Sequence, residues 1–231
     1  MKLKEIKRLI SENKFSFILI SVTMVILTVA TVVFKQSVFR VFPLYISLVI
    51  GMLQAKANRY APLLGGINSV FYALIYFYYK LYASAAYAIL FSCPVQLITF
   101  IRWQKNAYES STVFKKMSPR LIIAVAAAFT VSWVGMMLLL GKTDSGYVLL
   151  DTFTTVLGVV TTFLTLFAFR EYTVTMLVGV TASITLYIMM IFDTPEQVTY
   201  LIYGVYTFIC CVRGYINVRR LYRRQCEEKT A

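Results

Sequence analysis

The sequence predicts an all-α polytopic membrane protein of eight spans, a first helix followed by two like-oriented triplets joined by one linking helix. Three observations lead there. Hydrophobic residues make up 59% of the chain and charged residues 14%, against roughly a quarter charged in a soluble domain. That much apolar surface has no single aqueous core to enter. The apolar residues come in runs close to the roughly 20 residues that cross a bilayer core of about 30 Å. Basic residues then gather between alternate runs, as the positive-inside bias requires.

Residues 2–14 place Leu3, Ile6, Leu9 and Ile10 on one helical face with lysines opposite, which predicts a short interfacial helix leading into a first span at 15–34. A cleaved signal peptide is the alternative, but the apolar run exceeds the roughly 7–15 residues of such a segment. Further spans are predicted at 38–55, 60–79, 82–101, 120–140, 148–168, 172–191 and 197–214. The second is interrupted at its outer end by Arg40 and Pro43. Only Lys80 and Leu81 separate the third and fourth, a tight hairpin. The fifth follows the longest polar connection, 102–119, and carries the small residues Ala124, Ala126, Ala127 and Ala128.

With eight spans, only Lys35, Arg40, Lys80 and Lys142 of the 23 lysines and arginines fall on one side. The remainder collect on the other, which places both termini in the cytoplasm. The chain therefore reads as one integral membrane domain, 1–231. Its segments are the first helix (1–37), a three-helix bundle (38–101), a basic loop and linker helix (102–147), a second bundle (148–214) and a basic tail (215–231).

Composition excludes several classes of function. The net charge of +13 is explained by membrane orientation, because the basic groups flank apolar runs instead of forming a soluble face for nucleic acid. With no histidine, the usual proton shuttle and commonest metal ligand are missing. Cys93, Cys210, Cys211 and Cys226 show no paired spacing, so they read as reduced thiols without a framework role. Ten acidic residues, mostly at ends and loops, offer no paired carboxylates for an enzyme. No cofactor is expected.

An internal similarity supports the triplets: GINSVFYALIYF (66–77) is like GVTASITLYIMM (179–190). One span lies between the triplets, so both enter the membrane in the same sense. Transporters use such parallel repeats, with the substrate site at the repeat interface.

Polar residues that a simple anchor does not need converge on both triplets. Asn68 lies near the midplane of its span, roughly 12 Å from the cytoplasmic end at about 1.5 Å per residue, with Tyr72 one turn outward on the same face. Pro94 removes a hydrogen bond to the carbonyl of Leu90 and predicts a kink, below which Gln96 has an amide to satisfy. Asp151 opens the sixth span, with Thr154 and Thr155 following. Ser183 and Tyr187 share a face of the seventh, and Tyr203 lies in the eighth. Each also has a purely structural reading. Asn and Gln bond neighbouring helices, Thr bonds its own helix, Tyr sits at interfaces, and Asp151 could be a helix N-cap.

GGINSVFYALIYFYYKLY and YAILFSCPVQLITFIRWQKN resemble the PnuC family of bacterial vitamin B transporters. The likeness is carried by Asn68 with Tyr72, the aromatic hairpin through Tyr82, Pro94 and Gln96, and Trp103 before the basic loop. LLDTFTTVLGVV (149–160) is similar to the family's Asp-x-x-Thr-Thr segment, here Asp151, Thr154 and Thr155. The resemblance covers about residues 40 to 222. It implies a SWEET-like three-plus-one-plus-three core in the bacterial inner membrane. It also implies facilitated diffusion of a vitamin precursor, most often nicotinamide riboside, with a cytoplasmic kinase trapping the product and a possible homotrimer. The chain departs from the nicotinamide riboside pattern in three places. Tyr172 is the lone aromatic where tryptophans are usual, Val180 stands for an asparagine, and Thr162 stands for a glutamine.

The expected function is alternating-access uptake, with Asn68, Gln96 and Asp151 bonding polar groups of the ligand. Tyr72, Tyr172 and Tyr187 would supply ring contacts, and Pro94 would let its helix adjust. A thiamine or riboflavin carrier and a non-transporting sensor or scaffold are the alternatives.

Overall fold

The computed structural model describes residues 3–78, 88–141 and 147–230. Among them are eight α-helices: α1 (Leu3–Val33), α2 (Val38–Ala55), α3 (Ala61–Tyr78), α4 (Cys93–Lys105), α5 (Pro119–Leu140), α6 (Val148–Leu166), α7 (Tyr172–Asp193) and α8 (Val198–Thr230). A π-turn, Ala88–Ser92, runs into α4, and a 3-10 turn, Pro195–Gln197, precedes α8. Each helix falls on one of the eight apolar runs. The expected hairpin at Lys80 and Leu81, with Tyr82, lies outside the described residues, as does Lys142.

Five of the helices contain stretches long and apolar enough to cross a membrane: Lys14–Val33, Pro119–Leu139, Val148–Leu166, Tyr172–Asp193 and Pro195–Glu228. In α2 and α3 the apolar stretches are shorter, Val41–Ala55 and Ala61–Leu74. The outward faces of these helices are apolar; Val131 on α5, for instance, is 73% exposed. A surface of that kind belongs in lipid, and the chain is a multi-pass membrane protein.

Six helices pack in an order that closes on itself: α2 on α3, α3 on α4, α4 on α6, α6 on α7, α7 on α8, and α8 back on α2. Outside this ring, α1 lies against α8 and α2, and α5 lies against α6. The α2–α8 seam is close and well bonded. The Tyr206 hydroxyl donates to Leu48 O at 2.6 Å, and Asn217 Nδ2 donates to Ala55 O at 2.6 Å. A β-carbon on Gly214 would stand 3.2 Å from Gln54 O, so glycine is what lets the two backbones meet.

The turns that end α2 and α6 are built alike. Ala57 and Ala168 both take left-handed backbone angles, φ 50° and 56°. The amides of Ala57 and Asn58 bond the carbonyls of Gln54 and Leu53, as those of Ala168 and Phe169 bond Thr165 and Leu164. Such paired bonds close a helix C-terminus. A further bond repeats as well, Ala61 N to Asn58 O and Tyr172 N to Phe169 O, both 3.1 Å.

The basic loop between α4 and α5 is folded onto the helix ends. It forms a two-stranded antiparallel pair, β1 (Ala107–Tyr108) with β2 (Ser111–Thr112). Gln225 on α8 clamps the loop with both amide atoms, accepting from Phe114 N and donating to Thr112 O at 3.0 Å each. Lys115 bonds through its backbone to Ala168 and Arg170, and Met117 N donates to Glu171 Oε2. Trp103, Phe114, Tyr172 and Val218 form the core beneath.

Two helices run past their apolar stretches. At the N-terminus α1 runs unbroken from Leu3 to Val33, so the amphipathic segment continues directly into the first apolar run; neither Pro nor Gly interrupts that stretch. At the other end the basic segment after Gly214, rich in Arg and with Leu, Gln, Glu and Lys that favour helix, is helical as well, and α8 continues to Thr230.

Candidate functional site

Two cavities lie along the inside of the ring. The first, about 170 Å³, is enclosed by α2, α3, α4, α6 and α7 near the basic end, with Gln54, Gln96, Thr99, Trp103, Thr162 and Tyr172 in its wall. The second, about 270 Å³, lies among α6, α7 and α8 toward the opposite end, with Thr154, Val180, Ser183, Tyr187 and Tyr203 in its wall. Thr161 and Met176 border both. Among the described residues, none bordering either cavity is Asp, Glu, Lys or Arg. The described residues hold no cluster of three or more metal-binding side chains.

Gln96 is positioned by small residues on three sides. Its Nε2 donates to Ser69 Oγ and Ser92 Oγ at 3.3 Å each, and those hydroxyls bond one another at 2.8 Å. Ser69 Oγ is anchored on Gly65 O at 3.0 Å. The third side is Gly65 itself, where a β-carbon would lie 1.7 Å from Gln96 Oε1. Pro94 sits in the first turn of α4, where a missing N–H is tolerated. The break that it was expected to cause appears as a change of helix type, from the π-turn Ala88–Ser92 to α-helix at Cys93.

The aromatic wall is equally fixed. Trp103 Nε1 donates to Thr165 O at 2.9 Å, tying α4 to α6. Its ring meets Phe114 edge-on, centroids 5.8 Å apart, and Tyr172 at 6.3 Å. Phe114 and Tyr172 stack at 6.1 Å. Aromatic rings with neutral amides and hydroxyls can take a flat, polar ligand and attract a delocalised cation through the ring faces.

The residues singled out from the sequence are thus distributed. Gln96 and Tyr172 meet in the first cavity; Thr154, Ser183, Tyr187 and Tyr203 meet in the second. Tyr72 and Thr155 border neither. Asn68 is 4% exposed and turned toward α2, donating to Ser47 Oγ at 2.9 Å and Pro43 O at 3.4 Å. Its Oδ1 is buried without a partner. Asp151 is exposed in the first turn of α6. It is not the N-cap, a place held by Tyr147, and its position in the first turn gives it a favourable interaction with the helix dipole.

Several site residues escaped the sequence reading: Gln54, Gly65, Thr161 and Met176. The paired glycines at 65–66 in an apolar run were a usable signal of close approach. Met176 gave none.

Comparisons with known proteins give the family and the fold. The family model described as nicotinamide mononucleotide transporter matches residues 37–220. The nicotinamide riboside transporter PnuC of Neisseria mucosa is 27% identical over 178 residues, 74% of this chain and 67% of that protein. The crystal structure of the vitamin B3 transporter PnuC has the same fold, with a TM-score of 0.73, 23% identity and 92% of each chain covered. The chain belongs to the nicotinamide mononucleotide transporter family.

Proposed function

We propose that this protein carries nicotinamide riboside across the bacterial inner membrane by facilitated diffusion, alternating between outward-open and inward-open states. The observation that carries the choice of substrate is the uncharged, aromatic and amide-bearing wall of the two cavities. Family and relative point to two ligands that differ by a phosphate. A phosphate in a buried site needs cationic or multiple N–H partners, and among the described residues neither wall holds a Lys or Arg. The riboside needs none. Its pyridinium ring suits Trp103 and Tyr172, and its amide and hydroxyls suit Gln96, Gln54 and the threonines.

Tyr172, Val180 and Thr162 replace the larger groups usual in the nicotinamide riboside pattern, and all three border a cavity. The replacement supports a roomier, less selective site. The matched turns after α2 and α6 support the two-triplet reading, with eight spans, α5 as the linker and both termini in the cytoplasm. Trimeric assembly and a cytoplasmic kinase acting on the product complete the scheme that the family resemblance implies.

Flux into liposomes decides it. Purified protein should take up labelled nicotinamide riboside saturably without an ion gradient, and the mononucleotide at least tenfold more slowly. Equal uptake of both compounds would refute the charge argument.

A further inference from the structure

We infer that the Met176 side chain is the movable partition between the two cavities and sets the width of what passes. The inference rests on reading the cavities as one route. Met176 borders the first cavity, the second, and a void of about 10 Å³ beside Tyr172 and Cys211, and it is the one residue common to all three.

Thr161, the other residue shared by the two main cavities, is clamped. Its hydroxyl lies 2.8 Å from Leu157 O and 2.8 Å from Thr175 Oγ1, which in turn donates to Tyr172 O at 2.9 Å. Moving Thr161 would break that chain of bonds between α6 and α7. Met176 has no such tie, and an unbranched thioether with three rotatable bonds adapts readily to a new space. Its motion would also make room for a ligand. About 170 Å³ and 270 Å³ each fall short of the roughly 300–1,000 Å³ of small-molecule sites. Joined across Met176, the two reach that range.

The other half of the ring explains why the partition is one-sided. Counted from the matched residues Ala57 and Ala168, Gly65 in α3 holds the place that Met176 holds in α7. There the space is filled from the neighbouring helix by Gln96, a group that can bond the ligand. Polar contact thus comes from one half and the sliding apolar plug from the other.

The two tryptophans of the chain make the test direct. Trp133 packs with Phe129 and Phe153 on the α5–α6 contact, away from both cavities, so Trp133→Phe leaves Trp103 as the sole reporter in the first cavity. In that background nicotinamide riboside should quench Trp103 fluorescence and be taken up by proteoliposomes. Adding Met176→Phe should cut uptake at least tenfold. Adding Met176→Ala should raise the ratio of riboflavin to nicotinamide riboside uptake at least fivefold, a readout that stands if the Phe variant fails to fold. No quench and no uptake in the background protein would overturn the transport reading and this inference with it. Normal quench and uptake, with both Met176 variants unchanged, would overturn the partition alone.

Discussion

The side-chain oxygen of Gln96 lies 1.7 Å from the point where a β-carbon on Gly65 would stand. The glycine is therefore part of the site, because any side chain there evicts the amide that α4 projects toward the cavity. Gly65→Ala should cut nicotinamide riboside uptake at least tenfold. Gly135→Ala, which meets no atom within 4 Å, serves as the control and should leave uptake normal, with the helix steadied by about 0.5–1 kcal/mol. Equal uptake by the two variants would show that Gln96 has another position open to it.

Gln96 and Asn68 look equivalent in sequence, yet they should fail differently. Gln96→Ala removes a group from the cavity wall, so uptake should fall at least tenfold with little change in melting temperature. Asn68→Ala removes buried bonds to Ser47 and Pro43 and should cost about 1–3 kcal/mol of stability. Melting and flux measured on the same preparations would separate a ligand group from a helix tie. A normal melting temperature with lost uptake in Asn68→Ala would return Asn68 to the site.

The basic loop depends on Gln225. With alanine there, Phe114 N and Thr112 O lose their partners, and each unsatisfied buried group costs about 1–3 kcal/mol. Limited trypsin digestion should then cut at Lys115 or Lys116 several-fold faster in Gln225→Ala than in the parent. An unchanged rate would mean that the other docking contacts suffice.

Orientation can be read from a native thiol. Cys226 is exposed near the end of α8, whereas Cys210 and Cys211 are buried. A membrane-impermeant maleimide should label inside-out vesicles and spare right-side-out cells, with Cys226→Ser removing the signal. Labelling of intact cells would reverse the proposed placement of the C-terminus.

These tests also mark what the sequence made legible. The described helices coincide with apolar runs of the sequence, and five of them hold stretches long enough to cross a bilayer, because lipid imposes such runs whatever the neighbours are. Gln96 and Tyr172 stood out because an amide or a buried ring at the end of such a run has few other uses. Asn68 met the same criterion but is turned toward Ser47, since the direction of a side chain within a bundle depends on which helix lies beside it. Gly65 and Met176 matter only through partners brought together by the closed ring. Apolarity marked only the span 197–214; α8 itself runs on to Thr230, and its polar extension meets the loop through Gln225 and through Arg224, 3.8 Å from Glu109.

The most direct measurement is uptake of labelled nicotinamide riboside into proteoliposomes by the parent protein and by Gln96→Ala, with no gradient imposed. The expected result is saturable entry that stops when inside and outside concentrations match, reduced at least tenfold in the variant. Entry no faster than into empty liposomes, or equal entry by both proteins, would contradict a route lined by Gln96.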